Sequence, residues 1–349
     1  MYSPKYAISN RILKNIGLIE ACREVVDHAP LVPAWEAKFR EEAIVRTVHH
    51  GTHIEGNELS LSQAARVMEG KEVLARSRDI QEVINYRSVL EYIDQLREKD
   101  RDLQITDNII KHLHKLTVQK ILPAEECGQY RQTKVVVKNS QTGEVTFSPP
   151  PAIEVPYLIE GFLHWLGSPQ TKDSHPVLQA GITHYELVRV HPFLDGNGRV
   201  ARAAAILLLF KEGYDVKKFF SLEEYYDKDP MGYYGALKTA ESGDLTMWLE
   251  YFTEGLALEL SKIKEKVQNL SVDLKLKERM GGKQIALSPR QLRIMEYMQE
   301  TGFLQNQTFS ELFPMISEDT VLRDLQDLIK KGIIKKTGIT KAAKYVMRT

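Results

Sequence analysis

The chain has 349 residues, long for one compact domain and enough for two or three. Its 47 Lys and Arg balance its 47 Asp and Glu, so no net charge draws the whole molecule to nucleic acid or acidic lipid, and any such attraction is local. With 43% hydrophobic residues and no low-complexity tract, the composition is that of an ordered globular protein and excludes extended disorder.

In chain order, helical periodicity dominates. Apolar residues recur every three or four positions over Asn10–Val26 and Trp35–Val48. Ser60 caps a further helix through Met68, Asp79 opens one through Leu96, and Thr106 opens Asp107–Gln119. The pattern then changes once. Thr133–Val137 and Glu144–Phe147 are β-branched runs joined by a turn at Gly143, which predicts one hairpin, ended by Pro149, Pro150 and Pro151. Helices resume over Val155–Leu166, His175–Val190 and Arg199–Phe210, and a charged amphipathic stretch runs Thr253–Met280. Gly281-Gly282 is the clearest domain boundary. Beyond it, helices over Pro289–Glu300, Ser310–Phe313 and Asp319–Lys331 precede short strands Ile333–Lys336 and Lys344–Met347, a winged helix-turn-helix pattern.

Cys22 and Cys127 have no metal-type spacing. The N-terminus lacks an apolar leader, and the longest apolar run, Ala203–Phe210, is about two helical turns, so the expectation is a cytoplasmic protein with no membrane partner.

The chemistry concentrates in His191-Pro192-Phe193-Leu194-Asp195-Gly196-Asn197-Gly198-Arg199-Val200-Ala201-Arg202. Gly196 and Gly198 let the main chain approach a ligand closely, just before a helix whose first N–H groups and dipole attract an anion. Asn197 adds a side-chain donor. Arg199 and Arg202, three apart, share a helix face and suit a polyphosphate. Asp195 among these cationic groups reads as a Mg²⁺ ligand, and His191 as a base for an attacking hydroxyl. The composite is a phosphoryl-type transfer site.

This segment matches every specified position of the Fic-family signature, H-P-F-x-D-G-N-G-R-x-x-R. The resemblance spans roughly residues 35 to 255: the Thr133–Phe147 hairpin, preceded by Gly128-x-Tyr130-Arg131, resembles the family's target-binding flap, and Tyr233-Tyr234 with Gly243-Asp244 resembles its adenine-covering segment. It implies a helical core that moves AMP from ATP, with Mg²⁺, to a Ser, Thr or Tyr hydroxyl of a target protein or of the chain itself. It implies that His191 is the base and Asp195 holds the metal. Gly196, Asn197 and Gly198 then cradle phosphates, Arg199 helps on the β side and Arg202 reaches the γ-phosphate. Val135, Val136, Val137 and Lys138 would hold the target by strand addition beside the ATP, and Tyr233 and Tyr234 would meet adenine.

Gly51-Thr52-His53-Ile54-Glu55-Gly56-Asn57 resembles the family's inhibitory motif, a Ser or Thr four residues before Glu-Gly, except that Gly51 stands at the four-back position. The resemblance implies that Glu55 pairs with Arg202 and leaves ATP, which it thereby contacts, in an unproductive pose. Two alternatives stay open: an enzyme that removes AMP with Glu55 aligning water, and a nucleotide-sensing DNA-binding regulator. His49, His50 and His53 read as a helix face beside Glu55 rather than a metal site. Tyr225, Tyr226, Tyr251 and Phe252 read as core filling.

The expected organisation is mainly α: a helical region with the inhibitory motif over 1–95, a Fic core with its β-hairpin flap over 96–258, a linker helix over 259–282 and a winged helix over 283–349. Residues 330–348 hold seven Lys or Arg and no acid, yet Glu318, Asp319, Asp324 and Asp327 crowd the presumed recognition helix. DNA binding and a protein-interaction or homodimer role are therefore both open.

Overall fold

The run Ala203–Phe210 is apolar around its whole circumference, and such a helix is stable only when surrounded. It forms the C-terminal half of α9 (Asn197–Lys211), which packs against α8 (Pro176–Val190) as a hairpin at the centre of the larger unit. Helices α4 (Ser77–Lys99) and α5 (Asp107–Val118) cover α9, and α6 (Val155–Leu166) covers α8. The core closes where Trp248 donates Nε1 to the Gly181 carbonyl at 2.7 Å.

The computed structural model describes residues 2–29, 31, 33–99, 103–138, 145–269, 287–314, 316–338 and 344–348. It divides into unit 1, residues 1–27 and 41–263, and unit 2, residues 28–40 and 264–349. The segments 1–95 and 96–258 thus share unit 1, apart from residues 28–40. The remaining helices are α1 (Asn10–Asp27), α2 (Pro33–His53), α3 (Leu61–Met68), α7 (Pro169–Lys172), α10 (Leu222–Lys228), α11 (Pro230–Thr239) and α12 (Thr246–Asn269). Ser60 forms a capping box with Gln63, and the Thr106 side chain accepts from the Ile109 N–H. The sequence reading missed α7, α10 and α11, whose side-chain caps at Ser168, Ser221 and Asp229 it did not single out. Gly143, Gly281 and Gly282 lie outside the described residues.

The hairpin is shorter than expected. β1 is Val137–Lys138 and β2 is Val145–Phe147, antiparallel, with Val137 opposite Phe147. Thr133–Val136 are not in the ladder. Continuing that register would set Val135 and Thr133 opposite Pro149 and Pro151, which have no N–H to donate.

Unit 2 holds α13 (Pro289–Thr301), α14 (Phe309–Leu312) and α15 (Glu318–Lys330), with a sheet in the order β3-β5-β4 from Leu304–Gln305, Lys344–Met347 and Ile334–Thr337. Strand β3 was not anticipated, since two residues carry no alternation. Asp324 accepts from Arg290 Nε at 2.6 Å, and Asp327 accepts from Gln291 Nε2 at 2.7 Å while pairing with Lys331 at 2.6 Å. Two of the four acids on α15 are thereby engaged by neighbouring side chains.

Candidate active site

α8 ends where His191 adopts a left-handed conformation, φ 49° and ψ 60°. A non-glycine residue there stores strain of the kind found where a side chain must be aimed. Arg131 holds the turn: Nε donates to the His191 carbonyl at 2.7 Å and Nη2 to Pro150 O at 2.6 Å, while Nη1 donates to Thr133 O at 3.1 Å. One buried guanidinium therefore ties the base of the hairpin to the end of α8. His191 Nδ1 faces the Val188 carbonyl at 3.3 Å, which assigns the proton to Nδ1 and leaves the Nε2 lone pair available. Burial lowers the imidazole below its ordinary pKa, so it stands neutral at pH 7.

The turn from Pro192 to Gly196 is braced on both sides. Asn197 Nδ2 donates to the Phe193 carbonyl and its Oδ1 accepts from the Phe193 N–H, both at 2.9 Å. The Asn197 amide is thus committed to the loop and is not the free side-chain donor expected from the sequence; what it offers an anion is its backbone N–H. His114, which sequence reasoning missed, stacks on Phe193 at 3.8 Å, accepts from the Gly128 N–H at 2.9 Å and donates Nε2 to the Asp195 carbonyl at 3.1 Å. Burial drives its pKa down to about 4. Gly196 caps α9 with φ 76°, and a side-chain carbon there would lie 2.9 Å from Val118 Cγ1.

Arg199 and Arg202 are buried at the start of α9, at 1% and 2% exposure. Arg202 Nη2 donates to Glu55 Oε1 and to the Gly51 carbonyl, both at 2.8 Å. A side-chain carbon at Gly198 would lie 2.2 Å from Glu55 Oε1 and 3.2 Å from Arg202 Nη1. The Glu55 carboxylate therefore rests on the bare main chain of Gly198, against the open N–H groups of the first turn. Arg202 Nε and Nη1 are buried without a hydrogen bond of full geometry, and the Tyr86 and Tyr233 hydroxyls are the neutral groups that interact with the guanidinium.

Gly51 has its own cause. A side-chain carbon at that position would fall 2.5 Å from a ring carbon of buried Tyr86, whose hydroxyl donates to buried Glu223 at 3.1 Å. The family's Ser or Thr does not fit here. His50 and His53 both direct Nδ1 at Asp227, at 2.7 and 2.8 Å, and His49 packs against their rings. Among the described residues no three His, Cys, Asp or Glu side chains are arranged to hold a metal by themselves.

Asp195 is a lone carboxylate with cationic neighbours. Burial would raise its pKa, but Arg199, the Gly196 N–H and Arg78 outweigh that and hold it below the usual carboxylate range. Arg78 and Glu82, on α4, were not singled out from the sequence. The available signal was polar Asp79, Glu82 and Asn85 at the three-residue spacing of α4's buried stripe.

The tyrosines separate. Tyr233 is 1% exposed, its hydroxyl bonded to His184 Nε2 at 2.8 Å and its ring stacked on Tyr226 at 4.6 Å, so it belongs to the core beneath the site. Tyr234 is 47% exposed and reaches the Ile54 carbonyl at 3.5 Å, which leaves its ring available above the Glu55 turn. In the hairpin, Val136 and Val145 are exposed.

Comparison with known proteins matches residues 104–209 to the Fic/DOC family and residues 290–338 to the DeoR-like helix-turn-helix domain. Residues 104–209 are the part of the chain that is similar to a Fic domain. Its α8–turn–α9 hairpin is where the signature sits. A relative from Drosophila grimshawi named protein adenylyltransferase Fic is 32% identical over 220 residues, 62% of this chain and 42% of the relative. One of the same name from Culex quinquefasciatus is 28% identical over 273 residues, 77% and 52%. The chain spans about half the length of these curated relatives. A Fic family protein from Desulfovibrio desulfuricans shares the fold over 99% of this chain and 98% of its own, with TM-score 0.67 and 23% identity. Fic-1 from C. elegans does so over 74% of each chain, with TM-score 0.61 and 24% identity. Among the described residues no helix is long and apolar enough to cross a membrane.

Proposed function

We propose that the Fic domain transfers AMP from ATP to a Ser, Thr or Tyr hydroxyl of a target protein, in the cytoplasm, and that Glu55 restrains it. The observation that carries this reading is the Glu55 carboxylate itself: an anion seated 2.8 Å from Arg202 and directly on Gly198, where a phosphate would otherwise lie. With the cradle filled by a phosphate, the target hydroxyl gives its proton to His191 Nε2 as its oxygen bonds to the α-phosphorus. The bond from that phosphorus to the bridging oxygen breaks, and pyrophosphate leaves. Backbone N–H groups of Gly196, Asn197 and Gly198 hold phosphate oxygens, Arg199 stands on the β side and Arg202 takes the γ-phosphate. Asp195 would hold Mg²⁺, which when bound neutralises phosphate oxygens; that the carboxylate already carries a guanidinium on one oxygen fits a cation there. The edge of the hairpin from Val135 to Lys138 aligns the target main chain, and Tyr234, exposed where Tyr233 is buried, meets adenine in this reading.

The test is incubation with labelled ATP, Mg²⁺ and cell lysate. Label appearing on protein supports transfer, and loss of label from a pre-labelled target favours AMP removal with Glu55 aligning water. Absence of both in wild type, together with absence of transfer by Glu55→Gly, overturns the reading.

Unit 2 supports a second reading, binding of duplex DNA. Engagement of Asp324 and Asp327 removes two of the acids that oppose a phosphate backbone, and Arg323, Gln326 and Lys330 stay exposed on α15 beside Lys335, Lys336, Lys344 and Arg348 of the wing. Retention of random duplex should fall steeply as salt rises. No retention at low salt would favour a protein-interaction or dimerisation role instead.

A further inference from the structure

Arg78 near the start of α4 donates Nη2 to Asp195 Oδ2 at 2.7 Å and Nε to Glu82 Oε1 at 3.1 Å. The other Asp195 oxygen accepts the Gly196 N–H and faces Arg199 Nη2 at 3.5 Å. The two arginines differ in freedom. Arg199 has a side chain only 2% exposed, locked beside Glu82 at 3.3 Å. The Arg78 side chain is 58% exposed on a long stem. Among the described residues, Asp195 Oδ2 is therefore held by a cationic side chain exposed enough to leave.

We propose that Arg78 competes with the divalent cation for Asp195. Its guanidinium is the counter-charge of the carboxylate in the cation-free state, and it swings off when the cation arrives with nucleotide. The inference rests on the reading of Asp195 as a metal ligand. One carboxylate oxygen does not serve a guanidinium and a divalent ion together, because their like charges repel at that range. Glu82, 3.1 Å from Nε, gives Arg78 a carboxylate within reach when the planar guanidinium swings off Asp195 as a whole about the torsions of its stem. Glu82 is 4% exposed and also accepts from Asn57 Nδ2 at 3.0 Å, so the segment bearing Glu55 and the resting place of Arg78 are braced by one buried carboxylate. Arg78 thus sets how much the cation adds to nucleotide binding.

The experiment uses the full chain, Mn²⁺, and an ATP analogue with a methylene between the α- and β-phosphorus, which blocks transfer. Calorimetry gives the factor by which Mn²⁺ tightens analogue binding. Arg78→Ala should raise that factor about threefold to tenfold, the range for an exposed to half-buried charged pair, and the gain should shrink in high salt. Arg78→Gln should move the same way, and Arg78→Lys should fall between. Asp195→Asn should bring the factor close to one in either background. If Asp195→Asn leaves the factor at the wild-type value, the metal reading itself fails. If Asp195→Asn abolishes it but Arg78→Ala and Arg78→Gln leave it unchanged or lower it, Asp195 remains the ligand and the competition is refuted.

Discussion

Replacing Glu55 with Gly tests the brake most directly. The substitution removes the carboxylate 2.8 Å from Arg202 and empties the space above Gly198, where Glu55 Oε1 now excludes any other anion. The Arg202 guanidinium keeps its second bond, Nη2 to the Gly51 carbonyl at 2.8 Å, so it stays aimed at the vacated space. Glycine suits the position, since Glu55 lies past the last helical residue of α2 and is followed by Gly56 at φ 93°. One charge-assisted hydrogen bond between a buried guanidinium and a carboxylate whose side chain is 29% exposed is worth about 1.5–3 kcal/mol. If that pair is what ATP must displace, self-labelling with α-labelled ATP and Mg²⁺ should rise roughly tenfold to a hundredfold. The rise should depend on Arg202 and largely vanish when Arg202→Ala is added. Equal labelling by Glu55→Gly and wild type, or a rise that survives loss of Arg202, would refute the reasoning.

His191→Ala should abolish transfer yet keep analogue binding near the wild-type value, because the backbone cradle is untouched; normal labelling would remove His191 as the base. Since burial lowers the His191 pKa, the acid limb of the wild-type rate profile should lie below pH 6.5, with activity present above that pKa and lost as pH falls through it; a limb above pH 7 would contradict the geometry. Gly51→Ala should lower the melting temperature by a few degrees, because overpacking against Tyr86 costs about 1–3 kcal/mol and outweighs the helix-propensity gain of up to ~1 kcal/mol; an unchanged or higher melting temperature would mean that Tyr86 moves freely. Burial depresses His114 to about 4, so the folded state binds fewer protons than the unfolded one between pH 4 and about 6.5. Its contribution is whole above about 6.5 and lost as pH falls, reaching roughly 3 kcal/mol by pH 4. Urea unfolding of wild type should weaken more steeply over that window than that of His114→Gln, and parallel curves would remove His114 from the account.

What the sequence determined by itself is local or repeats with a short period. Helices α1, α3, α5, α6, α8 and α9 follow from apolar spacing and from caps at Ser60 and Thr106, because a helix closes its own hydrogen bonds within four residues. The phosphate-type turn was equally legible, since Gly196, Gly198 and the first turn of α9 act through backbone geometry that a contiguous motif encodes. Tertiary structure decided whatever depends on partners distant in the chain. It placed Glu55 147 positions from Arg202 at 2.8 Å, turned the Asn197 amide from ligand donor to loop brace, sank Tyr233 into the core and left Tyr234 outside. It also supplied the reason for Gly51, which is the ring of Tyr86 and not any property of the helix, and it drew Arg78, Glu82, His114 and Arg131 to the signature from other elements. A side chain's role follows from what it meets when packed, and that is fixed by the crossing of helices rather than by spacing along one of them.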